Sequence, residues 1–113
     1  MVRKVESARY MRVEEVAEGL AAEGAAVRLL GTLADLSQGR ALLQDCGASV
    51  GLDLTATDWK SMRNSHLYEV LGEVATEQGQ ITVQARIARS MEGLDRSLYD
   101  QAASLVRAAF PAP

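Results

Sequence analysis

The 113-residue chain has little of what disulfide-linked, metal-binding or membrane-spanning proteins need. Its single cysteine, Cys46, excludes an internal disulfide and fits a reducing compartment. Because His66 is the only histidine, no zinc site with nitrogen and sulfur ligands is expected within one chain. No apolar run approaches the ~20 residues that span a bilayer, and the opening MVRKVESARY lacks the hydrophobic segment of a secretory signal. We therefore expect an intracellular protein without membrane contact, metal or cofactor.

Aromatic residues and positive charge are also scarce. The chain has one Trp, three Tyr and one Phe, and its net charge is −3. Proteins that bind nucleic acid on their own usually combine a basic surface with aromatic stacking platforms. We therefore expect weak direct DNA binding at best and identify no confident nucleic-acid-binding residue. No phosphate-binding loop or catalytic motif occurs either, so the sequence predicts a non-enzymatic protein with no catalytic residue.

Apolar periodicity predicts one helix, five strands, a bridging helix and a final helix. Residues 1–12 read as an extended, mildly basic arm, and residues 13–110 as a single domain. The first helix lies in VEEVAEGLAAEG and is expected to end at Gly24. Its apolar side consists of Val13, Val16, Ala17 and Leu20. The five predicted strands are AVRLLGTLADL, RALLQDC, SVGLDLTA, LYEVLGEVA and ITVQARIA, and in the last of them Ile81, Val83, Ala85 and Ile87 share one face.

The order of these elements is typical of an OB-fold. Short turns at Gly39, Gly47 and Gly79 indicate antiparallel hairpins. TDWKSMRNSH, between the third and fourth strands, predicts a short bridging helix capped by Thr57 or Asp58. The predicted fold class is therefore all-β with flanking helices, as a five-stranded Greek-key OB barrel with a bridging helix and a C-terminal helix.

The final helix, residues 95–110, carries more apolar surface than a small barrel needs. Asp95 is its predicted N-cap, and its apolar positions cover about 180° of the circumference, whereas a helix lying on a core needs ~100°. The polar residues Arg96, Asp100, Ser104 and Arg107 are assigned to the opposite side. Two interpretations stay open: the helix caps only its own barrel, or one stripe binds another protein's helix. On the second, the helix's predicted partner-binding residues are Leu98, Tyr99, Ala102, Leu105, Val106, Ala109 and Phe110.

Arg28 is a further candidate for partner binding. It lies between Val27 and Leu29 in the first strand, so its side chain is expected to point away from their apolar face. One interpretation is a solvated surface arginine, and the other is an ion pair with the partner's barrel.

The C-terminal half of the chain resembles a known family. It is similar to the smallest (Ten) subunit of the CST telomere-capping complex in the stretches LYEVLGEV, QARIARSMEGLD and the following SLYDQAASLVR. In addition, VRLLGTL resembles that family's first strand. The N-terminal arm and residues 37–66 resemble this family only in their general type of residue. The small subunit of replication protein A shares the layout and the Leu-Tyr-x-x-Ala helix start.

The resemblance implies a small OB-fold subunit that forms a heterodimer with the Stn subunit, largely through C-terminal helices. With the large Ctc subunit, the family binds single-stranded telomeric DNA, protects chromosome ends and supports polymerase α–primase in C-strand fill-in. We accordingly expect nuclear, telomeric localisation, with DNA contacted mainly through the partners. The alternatives are the small subunit of a replication protein A-like trimer, and a solitary OB domain that binds an oligosaccharide or RNA.

Overall fold

The computed structural model describes residues 8–109, which form a closed β-barrel with two helices. Within that range, neither helix has the length and hydropathy of a membrane span. The elements in chain order are β1 (Arg9–Tyr10), α1 (Val13–Ala17), β2 (Ala26–Ser37), β3 (Arg40–Asp45), β4 (Ala48–Asp53), a 3-10 helix (Trp59–Ser61), β5 (Leu67–Glu77), β6 (Gln80–Ser90) and α2 (Arg96–Ala109).

Strands β2 to β6 close into the predicted OB barrel. The β2–β3 and β3–β4 pairs are antiparallel, as is β5–β6. The parallel β4–β6 pair and the antiparallel β2–β5 pair close the barrel. The two-residue strand β1 adds to β2 in parallel, so the sheet extends into the segment predicted as an arm. The five predicted strands and their pairing are confirmed.

Within residues 8–109, the three tight hairpins use the same turn. At Gln38–Gly39, Cys46–Gly47 and Gln78–Gly79, both residues have positive φ, between 50° and 83°. This is the type I′ geometry, whose twist matches that of antiparallel strands and which favours glycine. The glycine turns expected from the sequence are therefore confirmed.

Helix α1 is shorter than predicted. It ends at Ala17, and Gly19, with φ of 84°, follows its C-cap. The Leu20 N–H donates to the Glu15 carbonyl and the Gly19 N–H to the Val16 carbonyl, both at 3.0 Å, which is a Schellman ending. Val13 and Val16 pack in the core as expected. Ala17 is exposed, and the prediction that Leu20 belongs to the apolar side of this helix is wrong because the chain has already left the helix there.

A bulge in β6 overturns the predicted face of Ile87. Leu71 pairs with Ile87 but Gly72 pairs with Ala85, so Arg86 is an extra residue opposite the β5 strand. Beyond this point the two faces of β6 exchange: Ala88 packs against the core and Ile87 turns outward. Gly72 permits the bulge, because a Cβ at that position would lie 2.3 Å from the Gln84 carbonyl oxygen.

The predicted bridging helix is a single 3-10 turn. Asp58 precedes it, but its side chain makes no capping hydrogen bond. Instead, the Asp58 carbonyl accepts a hydrogen bond from the Ser61 N–H at 3.2 Å. Met62 is buried in the core and Trp59 packs against the core, so this segment covers the barrel.

Candidate partner-binding helix

The chain turns sharply between β6 and α2, and Asp95 starts the helix. The Leu98 N–H donates to Oδ1 of Asp95 at 3.2 Å, and the Tyr99 N–H donates to its carbonyl at 3.1 Å. The Asp95 side chain thereby satisfies one of the amide donors that a helix start leaves unpaired. The predicted N-cap is confirmed.

Two arginines attach the two ends of α2 to the barrel. Arg96 donates two hydrogen bonds to Asp45, at 3.1 and 2.9 Å, and a third to Asp100 at 3.0 Å. Arg107 donates two to Glu15, at 3.2 and 3.1 Å. Arg96 and Arg107, which the sequence analysis places opposite the apolar positions, therefore face the barrel. Both form the two-pronged arginine–carboxylate contact that fixes direction as well as distance.

The electrostatics of these pairs favours their charged forms. The hydrogen bonds that Arg96 donates to Asp45, and then to Asp100, raise the pKa of Arg96 above its usual value, against the opposing effect of burial. Burial alone would raise the pKa of Glu15, but the Arg12 N–H and the Arg107 guanidinium outweigh it and lower that pKa. The raised pKa of Arg96 and the lowered pKa of Glu15 both favour the charged form of the group.

Between these ends, Tyr99 faces the barrel. Its hydroxyl donates to Oε2 of Glu69 at 3.0 Å, and its ring meets the Tyr10 ring edge-on with centroids 5.9 Å apart. Burial, together with the Glu69 charge, raises the pKa of Tyr99, so its hydroxyl stays protonated and remains a donor. The barrel-facing side of α2 thus consists of Arg96, Tyr99, Ala103 and Arg107, all partly buried.

Glu69 is the centre of a charged cluster that the sequence did not predict. The residue is only 3% exposed. Its Oε1 accepts from Nε of Arg89 at 3.0 Å, and its Oε2 lies 3.7 Å from Nη1 of Arg28. Arg28 also donates to the Tyr10 hydroxyl at 3.3 Å and lies over that ring, 4.9 Å from its centre.

The contacts in this cluster exclude one of the two interpretations of Arg28. The residue does point away from Val27 and Leu29, which are buried in the core. It is not a solvated surface arginine, because its side chain is 24% exposed and paired within the chain. An ion pair between Arg28 and a partner stays a prediction.

The apolar stripe of α2 points away from the barrel. Leu98 is 62% exposed and Leu105 is 72% exposed, and no residue of the helix is buried. Ala102 and Ala109 are exposed on the same side, and Val106 is 40% exposed at its edge. The structure therefore brings five predicted partner-binding residues together on one outward stripe, which we call the outer stripe: Leu98, Ala102, Leu105, Val106 and Ala109. Tyr99 lies on the barrel side instead, and Phe110 lies outside the described residues.

The side of the barrel that OB-folds often use for oligonucleotides lies over β3 and β4. The cleft over β3 and β4 is bordered by the turns at Gln38–Gly39 and Gln78–Gly79. Its one cationic side chain among the described residues, Arg40, is paired with Glu77 at 2.6 Å and lies 3.8 Å from Asp53. Among the described residues, no aromatic side chain lines the cleft itself, and the Trp59 ring lies at its border beside Gly39, with Lys60 near that ring. Within the cleft there is therefore no unpaired cation among the described residues.

The barrel closure and the helix that follows it place the chain among OB-fold proteins. Within residues 8–109, no group of three His, Cys, Asp or Glu residues could hold a metal ion. The family model described as a telomere-capping, CST complex subunit, Ten1_2, matches residues 4–111. The chain belongs to this family.

Solved structures show the same fold. The structure of the telomere-capping protein Ten1 from Saccharomyces pombe is 22% identical, with a TM-score of 0.74 over 88% of this chain and 97% of that one. The S. pombe Stn1–Ten1 complex gives 22% identity and a TM-score of 0.73 over 88% and 91% of the two chains. U. maydis replication protein A bound to single-stranded DNA gives 21% identity and a TM-score of 0.65 over 92% of both chains. No curated protein matches the sequence significantly.

Proposed function

We propose that this chain is the small, non-enzymatic subunit of a CST complex and forms a heterodimer with the Stn subunit through α2. Through Stn and the large Ctc subunit, it supports binding of single-stranded telomeric DNA, end protection and C-strand fill-in by polymerase α–primase. The site of action is telomeric chromatin in the nucleus. Family membership and the similarity to the S. pombe Stn1–Ten1 complex support the choice of partner.

The outer stripe is the observation that carries this proposal. Leu98 and Leu105 are two turns apart, and Ala102 lies between them, which allows another helix to approach closely. Burying one leucine side chain contributes roughly 1.5–3 kcal/mol, so two leucines and the surrounding alanines supply a sizeable part of the free energy of a stable dimer. Since this stripe is exposed in the single chain, a second protein has to cover it to gain that free energy.

The role in DNA binding is indirect in this proposal. Arg40 is held by carboxylates, and Arg86 is paired with Glu73 at 2.9 Å. Phosphate contacts at these positions require that ion pairs break first. This supports a division of work in which the partners supply the affinity for DNA and this chain stabilises the Stn subunit.

Co-expression with the Stn subunit of the same organism tests the proposal. We expect Leu105→Glu or Ala102→Arg to abolish co-purification, because each places a charge in the centre of a dry helix–helix contact. Ser104→Glu is the matched control: it adds the same carboxylate to the neighbouring exposed residue, outside the outer stripe. Circular dichroism melting of the isolated variants checks that the barrel stays folded. Normal yields of heterodimer from both Leu105→Glu and Ala102→Arg contradict the proposal.

A second candidate is the small subunit of a replication protein A-like trimer. The similarity to U. maydis replication protein A, which extends over 92% of both chains, favours it. Purification of the tagged chain from its own cells distinguishes the two. Stn and Ctc proteins are the expected companions, whereas the large and middle subunits of replication protein A support the second candidate.

A further inference from the structure

We propose that Arg96 and Arg107 are positioning residues, which hold α2 on the barrel with its outer stripe ready for the partner; this rests on the proposed function. Because the attachment is polar, high ionic strength weakens the contact between α2 and the barrel without lowering the stability of the barrel itself.

The first argument is that α2 has little apolar packing on its barrel-facing side. None of its 14 residues is buried, and Tyr99 and Ala103 are the uncharged residues that face the barrel. A small cavity of about 50 Å³ remains beneath the helix, lined in part by Leu30, Tyr99 and Ala103. Apolar packing of this extent orients a helix weakly, because the hydrophobic effect is not directional, and the hydrogen bond from Tyr99 to Glu69 is a single directional contact between the two arginines.

The second argument is the placement of the two ion pairs. Arg96 and Arg107 are eleven residues apart, so the two contacts are about 16 Å apart along the helix. Their acceptors, Asp45 at the end of β3 and Glu15 in α1, belong to two different elements of the body. Two-pronged contacts at both ends fix the rotation of the helix about its axis, and that rotation keeps Leu98 and Leu105 outward.

The third argument is the energetic consequence for a partner. If α2 moved freely, the partner would have to order it on binding, and that cost would reduce the affinity. Both ion pairs are partly exposed, with Arg96 and Arg107 side chains 40% and 30% accessible. Salt therefore screens them, whereas it leaves the apolar core of the barrel intact.

The test changes the acceptors, so that the sequence of α2 stays intact. The double variant Asp45→Asn, Glu15→Gln removes both charges. The glutamine side chain can still cap α1 by accepting from the Arg12 N–H, as Glu15 does at 2.8 Å. Arg86→Gln is the control, because it breaks an ion pair of the barrel that does not touch α2. Amide hydrogen exchange of α2 and of the strands is measured in the isolated chain at low and at 1 M salt.

We expect α2 amides to exchange roughly tenfold faster in the double variant, since two partly exposed pairs are lost. High salt should reproduce this in the wild type, with the strand amides unchanged. Affinity for the Stn subunit should fall by a similar factor in the double variant and stay constant in the control. Unchanged exchange of α2, or faster exchange with unchanged affinity, overturns the positioning role. If the wild type does not bind Stn at all, the proposed function fails, and the exchange data still report whether the ion pairs hold the helix.

Discussion

Replacing Glu69 by glutamine should destabilise the barrel more than any other loss of a single ion pair in the described chain. Glu69 is 3% exposed, and its carboxylate interacts with Arg28, Arg89 and Tyr99 at the same time. Glutamine keeps the size of the side chain and one acceptor for the Tyr99 hydroxyl. Its amide group, however, directs donors at guanidinium groups that are themselves donors only.

The magnitude follows from the exposure of the arginines. Removing one partner of a fully buried ion pair costs about 3–5 kcal/mol. The Arg28 and Arg89 side chains are 24% and 54% exposed, so water partly compensates for the lost carboxylate. We therefore expect a loss of about 2–3 kcal/mol, which lowers the melting temperature of a domain of this size by roughly 10–20 °C.

Urea denaturation and thermal melting of the isolated chain measure this loss, and Glu73→Gln is the control. Glu73 lies four residues further along β5 and pairs with Arg86 across the same hairpin, but with this one arginine only. We expect that substitution to cost less than ~1 kcal/mol. Equal losses for Glu69→Gln and Glu73→Gln would refute the idea that burial and shared partners make Glu69 special.

Two further predictions follow from the barrel. The isolated chain should bind a 20-nucleotide single strand with a Kd no lower than about 10⁻⁶ M at physiological salt, as non-specific binders do, because Arg40 is already paired with Glu77. Nanomolar binding in a fluorescence anisotropy titration contradicts this prediction. Gly72→Ala should cost about 1–3 kcal/mol in a denaturant titration through steric overlap with Gln84. Gly51→Ala should be nearly neutral, because its Cβ would meet nothing closer than 3.6 Å; similar losses at both glycines argue against the close contact at the bulge.

The strands and hairpins could be predicted because their signals are local. Alternation of apolar residues marks Val50, Leu52, Leu54 and Ala56 in the third predicted strand. The first three are buried, whereas Ala56 lies in the turn after the strand and is exposed. The glycine turns at Gly39, Gly47 and Gly79 then fix which strands pair. The same reasoning failed for α1, where Gly19 rather than Gly24 ends the helix, although glycine followed by leucine is itself a signal for a Schellman ending.

The Glu69 cluster could not be predicted because it depends on the bulge. Counting pairs outward from the Gln78–Gly79 turn places Glu69 opposite Ala88. The extra residue, Arg86, shifts the register by one, so that Glu69 faces Arg89 and Ile87 turns outward. Gly72 suggests a bulge somewhere near the middle of β5, but a glycine on one strand does not specify which residue of the other is inserted.

The orientation of α2 on the barrel could not be predicted from the sequence for a different reason. A helical wheel gives the angles between side chains but not which side faces the barrel, and the partners of Arg96 and Arg107 lie 51 and 92 residues away in the chain. Apolar residues are normally assigned to the inside by default, whereas here arginines and a tyrosine hold the helix and its leucines face outward. On the proposed function, the usual assumption fails because it treats the single chain as the complete folding unit. In the heterodimer that we propose, the outer stripe of α2 gains its free energy of burial only when the second protein is bound.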